Sequence, residues 1–257
     1  MQRLAILAHY DAKNRIRRHT VHYLRALREV ADNVAFVSTS KLPSSETDKL
    51  GDLCNNVWQL QNVGFDFGMW RYAIERLELS GVDELVLTNS SVIGPVTPLE
   101  GAFAKMAREA CDFWAMTDNA EIAWHLQSYF MVFRRGAFTS SCFREFFGSV
   151  LGYRNKDQVI RSYEVGLTVY LAERGLRPKA LVPFTDVVPK RRQDPKRTRT
   201  NTTCCYPLRL LQLGMPFVKV ELLRDNPAHV PLKPVHAFLA NAGYDADLIE
   251  LDKTEVR

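Results

Sequence analysis

No run in this chain approaches the ~18 consecutive apolar residues that a bilayer-spanning helix requires. Its first residues, MQRLAILAHYDAK, have neither the apolar length nor the small-residue cleavage site of a secretory signal. A cytoplasmic location is therefore expected. Cysteine is scarce and irregular: Cys54, Cys111, Cys142, Cys204 and Cys205 are odd in number and form no CxxC. Neither a zinc site nor a disulfide framework is expected from them. The phosphate loop GxxxxGK[ST], the dinucleotide fingerprint GxGxxG, the GxSxG elbow and the HExxH zinc motif are all missing. That argues against P-loop, dinucleotide-dependent, serine-hydrolase and zincin chemistry. Among the six histidines only His19 and His22 stand at helical spacing, a pair better read as an exposed helix face than as metal ligands. There is no internal repeat.

What the chain does have is an ordinary globular composition over 257 residues, enough for one substantial domain or two small ones. Its net charge of +5 is concentrated in two places. Lys13, Arg15, Arg17, Arg18, Arg25 and Arg28 crowd one segment, and KRRQDPKRTR fills 190–199. Such patches suit anionic partners: nucleic acid, an acidic membrane surface or a phosphorylated small molecule. Each patch alone is as readily a solvated basic face. No recognition motif accompanies the charge, so nucleic acid is not expected as a partner.

Hydrophobic patterning predicts alternating strands and helices. LAILAH, NVAFVSTS, VWQLQ and ELVLTN read as buried strands. Helices are expected over 14–31, over 69–79 up to the Ser80-Gly81 stop, and over 98–110. The result is an α/β fold with a largely parallel sheet and helices on both faces. Further on, DFWAMT and SYFMVFRR read as strands open to antiparallel pairing. FREFFGSV and 157–174 read as helices, 186–203 as a mobile loop, and LRLLQLGMPFVKVELL as an apolar segment that wraps back on the core.

In a parallel α/β sheet, ligands collect beyond the carboxyl ends of the strands. The polar residues there are His9 and Asp11, Ser38 and Ser40, Asn62, and Asn89 to Ser91. Asp66 is stranger, a lone carboxylate between two phenylalanines in NVGFDFGMW. Taken by itself that string reads as a glycine-punctuated aromatic turn.

Six strings occur in a telling order: QNVGFDFGMWRYAI (61–74), ELVLTNSSVIGPVTPLE (84–100), DFWAMT (112–117), HLQSYFMVFRR (125–135), YEVGLTVYLAERG (163–175) and PFVKVELLRDNP (216–227). In these the chain resembles the rhamnan synthesis F proteins, which assemble bacterial rhamnose-containing polysaccharides. The resemblance implies a GT-A-like (Rossmann-like) mixed, mainly parallel sheet flanked by helices. It implies a glycosyltransferase domain over 1–205 and a C-terminal extension, 206–257, packing on it.

The activity implied is transfer of a sugar, with inversion, from a nucleoside diphosphate such as dTDP-L-rhamnose. The acceptor would be a lipid-linked O-antigen or capsular glycan at the cytoplasmic face of the inner membrane. The basic segments would then favour peripheral contact with anionic headgroups. The alternative is a non-catalytic nucleotide-sugar- or glycan-binding member of an assembly complex. Glu164 is the expected base and Asp112 the second choice. His9, Asp11, Ser38, Asn62, Gly64, Asp66, Asn89 and Ser91 would line the donor, with Gly64 and Gly68 allowing close backbone approach. His125 and Gln127 would face the acceptor. One departure stands out. Where the family commonly has Asn-Asp-Ser, this chain has Asn89-Ser90-Ser91. A Mg²⁺ or Mn²⁺ ion prefers carboxylate oxygen. Either Asp66 or Asp118 holds the metal instead, or Arg and Lys neutralise the diphosphate without one.

Overall fold

The computed structural model describes residues 1–153, 155–189 and 201–252. Its first half alternates regularly: β1 (Arg3–His9), α1 (Arg18–Val30), β2 (Asn33–Ser38), α2 (Ser44–Thr47), β3 (Asn56–Gln59), α3 (Phe65–Ile74) and β4 (Glu84–Asn89). After β5 (Val92–Ile93) and α4 (Leu99–Ala107) come β6 (Phe113–Asn119), β7 (His125–Leu126) and β8 (Phe130–Arg134). Helices α5 (Arg135–Phe138), α6 (Ser141–Gly148) and α7 (Lys156–Val159) follow, then a π-helical stretch, Ile160–Val165, that runs directly into α8 (Gly166–Ala172). The remainder holds β9 (Pro178–Val182), α9 (Phe184–Val187), α10 (Thr202–Cys205), α11 (Pro207–Gln212), β10 (Val218–Lys219), α12 (Val220–Arg224) and α13 (Lys233–Asn241).

Eight strands form one sheet in the order β3-β2-β1-β4-β8-β6-β7, with β9 also on β6. Strands β3, β2, β1 and β4 are mutually parallel, while β8 runs against both β4 and β6. Strands β6 and β9 are parallel to each other. The mixed, mainly parallel sheet read from the sequence is therefore present, and the expected antiparallel pairing of DFWAMT with SYFMVFRR is that of β6 with β8.

The strands are apolar at nearly every position because both faces are covered. Leu4, Ile6 and Ala8 pack on the layer of α3, α6 and α8; Ala5 and Leu7 pack on that of α1 and α4. The segment beyond 205 contributes Leu210, Met215 and Phe217 to the second layer and builds a satellite core from Val218, Leu222, Val235 and Leu239.

Three boundaries differ from the sequence reading. Helix α1 begins at Arg18, not 14, because residues 10–17 form the loop that leaves β1, with Asn14 left-handed at φ +55°. Helix α3 begins four residues early, at Phe65, so Asp66 lies in its first turn rather than ahead of it. Of the expected 186–203 loop, 184–187 is α9 and 202–205 is α10; 190–199 lies outside the described residues.

Candidate functional site

The string FDFGMW is explained by α3. Phe67 and Trp70 point into the core, with Phe67 ringed by Trp70, Phe146, Phe147 and Tyr163. The Trp70 indole donates to the Thr88 carbonyl at 3.0 Å and so pins α3 to the end of β4. Asp66 then faces Asn89, whose side-chain amide donates to its Oδ2 at 2.7 Å. A carboxylate in the first turn also suits the positive end of the helix. Phe65 beside it sits at φ +52°, a left-handed conformation that costs a bulky residue roughly 1–3 kcal/mol. Asn89 has a second role: its Oδ1 accepts from both the backbone N–H (3.1 Å) and the hydroxyl (2.6 Å) of Ser91. Asp66, Asn89 and Ser91 are thus one hydrogen-bonded chain at the carboxyl edge of the sheet.

That chain ends on a residue the sequence reading passed over. Strand β10 pairs antiparallel with β5, placing Lys219 opposite Val92. Its ammonium donates to the Ser91 hydroxyl at 3.1 Å and lies 4.3 Å from the centre of the Tyr129 ring, within cation–π range. Desolvation lowers its pKa, opposed by the negative charges of Glu164 and Asp66. Lysine in the otherwise apolar run PFVKV was the available signal.

Glu164 lies in the π-helical stretch, where an extra residue per turn re-aims a side chain. Its Oε1 accepts from the Ser128 backbone N–H at 3.3 Å. The neighbouring Gln127 is buried, accepting from the Thr117 hydroxyl at 2.8 Å and donating to Asn201 at 3.4 Å. Tyr129 shares a 2.7 Å hydrogen bond with the same Thr117, and burial pushes its phenol well above the usual range.

Beside this cluster, where β1 ends, lies a cavity of about 500 Å³ whose walls include His9, Asp11, Arg17, His19, Ser90 and Val220. His9 is 1% exposed, its Nδ1 is 2.9 Å from the Ser38 hydroxyl, and burial pushes it down to about 4, so it is neutral. Asp11 organises the loop: its carboxylate accepts from the backbone N–H groups of Lys13 and Arg15 and from the Arg17 guanidinium at 2.6 Å. Asp252 arrives from the far end of the sequence to pair with Lys13, Arg15 and Arg17, which hold its carboxyl well below the usual range. Half of the first basic patch is therefore a loop at the sheet edge rather than a helix face.

The structure thus brings Asp66, Asn89, Ser91, Glu164, His9, Asp11 and Ser38 to one edge. Other expected residues are not part of that gathering. Asp112 precedes β6, at the amino edge, and is held by Arg177 at 2.9 Å, which lowers its pKa. A strand parallel to β4 presents its other end to the site, and there the acid is Asp118. Asp118 is occupied too, accepting from the Trp124 indole and the Phe184 N–H. Asn62 is exposed in the bend beyond β3. Gly64 and Gly68 serve the chain itself: Gly64 is the left-handed residue that opens α3, and a Cβ on Gly68 would lie 2.1 Å from the Val63 carbonyl oxygen. The close approach they permit is that of backbone to backbone. His125 is buried, with Nδ1 satisfied by the Ala123 carbonyl at 2.8 Å.

The donor set at the end of β4 does not fit a divalent cation. Ser90 and Ser91 offer neutral hydroxyls, Asp66 is engaged by Asn89, and the Lys219 ammonium on Ser91 would repel a second positive charge. Among the described residues no three His, Cys, Asp or Glu side chains come together as a metal-binding group. No helix among them is long and apolar enough to cross a membrane.

Comparison with known proteins gives a match to the family model described as rhamnan synthesis protein F over residues 34–257. The virulence protein VirA of Vibrio anguillarum is 26% identical over 230 residues, covering 79% of this chain and 74% of that protein. A Sinorhizobium fredii protein, y4gN, is 27% identical over 161 residues, covering 60% of this chain and 42% of its own length. Among solved structures, the inositol-1-phosphate CTP transferase from T. maritima aligns with a TM-score of 0.47 at 10% identity, covering 94% of this chain and 96% of that one. S. aureus TarS 1–349 in complex with UDP aligns at 0.45 and 13%, covering 94% and 70%.

Proposed function

This chain belongs to the rhamnan synthesis protein F family, and on that premise we propose that it is a glycosyltransferase that moves a sugar from a nucleoside diphosphate to a growing polysaccharide. The finer reading is an inverting enzyme using a dTDP-L-rhamnose-like donor and a lipid-linked cell-surface glycan, working peripherally at the inner membrane. The observation that carries it is the convergence at one sheet edge of a carboxylate, a hydrogen-bonded polar chain and a cavity of about 500 Å³. A pocket of that size is within the range of small-molecule sites.

In the reaction an acceptor hydroxyl attacks the anomeric carbon while the bond from that carbon to the diphosphate oxygen breaks. Its electron pair leaves with the phosphate, and the acceptor proton goes to a base. Glu164 is that base: it is partly exposed, and the Ser128 N–H fixes one of its oxygens. The His9 and Asp11 side of the cavity takes the nucleoside. His9 is neutral there and accepts or donates without adding charge.

Glu164→Gln keeps the shape and removes the basicity. Transfer should fall ~10²–10⁴-fold with donor binding retained, as for loss of a general base. Transfer at the wild-type rate, measured as nucleoside diphosphate released in the presence of acceptor, would remove Glu164 from this role. Ser90 favours one other reading, a binding protein that holds a nucleotide sugar without turning it over. In that case the donor raises the melting temperature by mass action, yet no diphosphate is released.

A further inference from the structure

The polar chain at the end of β4 terminates on a cation that belongs to the protein. We infer that the Lys219 ammonium is the built-in counter-charge for the diphosphate of the donor, occupying the place where a divalent ion would otherwise stand. The inference rests on the donor-site reading above and adds to it the group that takes up the leaving charge.

Three observations on different elements carry it. First, the position of Lys219 is fixed by backbone. Besides the β5–β10 pairing, the Val220 N–H donates to the Ser91 carbonyl at 2.9 Å and the Val96 N–H to the Pro216 carbonyl at 2.7 Å. The lysine is thereby strapped across the end of β4 and is not a surface side chain free to wander. Second, its partners leave capacity to spare. Ser91 is exposed and gives one hydroxyl oxygen, and the Tyr129 face contributes a quadrupole but no hydrogen-bond acceptor. An ammonium carries three N–H donors, so two remain for phosphate oxygens. Third, Asp66 and Glu164 act on it through space without neutralising it at contact distance; no ion pair of Lys219 occurs among those of the described residues. A cation partly buried beside a polar cavity, with two carboxylates near it and two donors uncommitted, is poised for a bound anion. Val220, the next residue, already lines that cavity together with Ser90.

The chemistry balances without a metal. As the anomeric C–O bond breaks, the extra negative charge appears on the phosphate oxygen, and N–H groups of Lys219 donate hydrogen bonds to it. No proton leaves the lysine; the only proton transferred is the acceptor's, to Glu164. A preorganised donor stabilises such developing charge better than bulk water does, because it needs no reorientation as the bond breaks.

The test is calorimetric titration of the full chain with UDP, GDP and dTDP, and with the matching monophosphates, in EDTA and again in Mn²⁺. Wild type should bind at least one diphosphate in EDTA, with affinity in Mn²⁺ unchanged within about twofold. Lys219→Met should weaken that diphosphate by ~10- to 100-fold, the loss expected for a charge-assisted hydrogen bond, and weaken the monophosphate much less. Ser91→Ala keeps the charge but frees the ammonium, and should give a smaller loss in the same direction. Should Lys219→Met fail to fold, the Ser91→Ala and Mn²⁺ arms decide. Tenfold tightening of the wild type by Mn²⁺, or full diphosphate affinity in Lys219→Met (in Ser91→Ala, if Lys219→Met does not fold), overturns the inference while the nucleotide site stands. Failure of wild type to bind any of the three diphosphates removes the donor site itself, and the inference with it.

Discussion

His9 and His19 are imidazoles kept neutral by burial, at 1% and 4% exposure, and each is pushed down to about 4 from an ordinary 6.5. His19 also has a buried Nδ1 with no hydrogen-bond partner. Unfolded, both take up a proton near 6.5; folded, neither does until about 4. The unfolded state therefore binds more protons across that window, and stability rises with pH through it. Above 6.5 the contribution of each is fully present, up to ~3 kcal/mol apiece, and below about 4 it is gone. Urea denaturation followed from acid to neutral pH should show this slope, and His19→Gln should flatten it. An unchanged slope in that variant would place the titration elsewhere. The exposed helix face expected for His19 and His22 is not what α1 presents, since His19 is buried in its first turn. What could be read from the sequence was that His9 closes a strand.

Elements explain which positions were legible. Parallel strands buried on both faces leave continuous apolar runs, so β1, β2 and β4 and their polar ends were legible, and with them His9, Ser38, Asn89 and Ser91. Asp112 misled because an acid beside an aromatic strand looks the same at either end, and only the direction of β6 against β8 tells which edge it occupies. Lys219 was out of reach for a different reason: it acts from β10, a two-residue strand whose partner, β5, lies 127 positions earlier in the pairing Lys219↔Val92. No periodicity encodes such a contact. Gly94 makes it possible, at φ +132° and with a Cβ position only 2.5 Å from the Pro216 carbonyl oxygen. Gly94→Ala should push β10 off β5, costing ~1–3 kcal/mol as overpacking does, and should weaken diphosphate binding together with stability. A variant that melts earlier but binds normally would show that β10 can re-seat without the glycine.

At the scale of the whole molecule the excess positive charge is not spread evenly, and part of it is already answered from within. Asp252 and Glu250 pair with Lys13, Arg15, Arg17 and Arg18 at the cavity rim. Pairs on so accessible a carboxylate add little to stability, but they set the local potential. Asp252→Asn should therefore leave the melting temperature nearly unchanged while tightening the binding of inorganic pyrophosphate, most visibly at low salt. Weaker pyrophosphate binding would mean that Asp252 orders the basic side chains more than it opposes the anion. The same clamp has a consequence for biosynthesis. Arg17 and Asp252 are 235 residues apart in the chain, so a ribosome has made every strand of the sheet before it makes the carboxylate that seals the rim. The pocket therefore acquires this part of its rim later than any strand that forms its floor. Until Asp252 is added, Lys13, Arg15 and Arg17 lack the carboxylate they share.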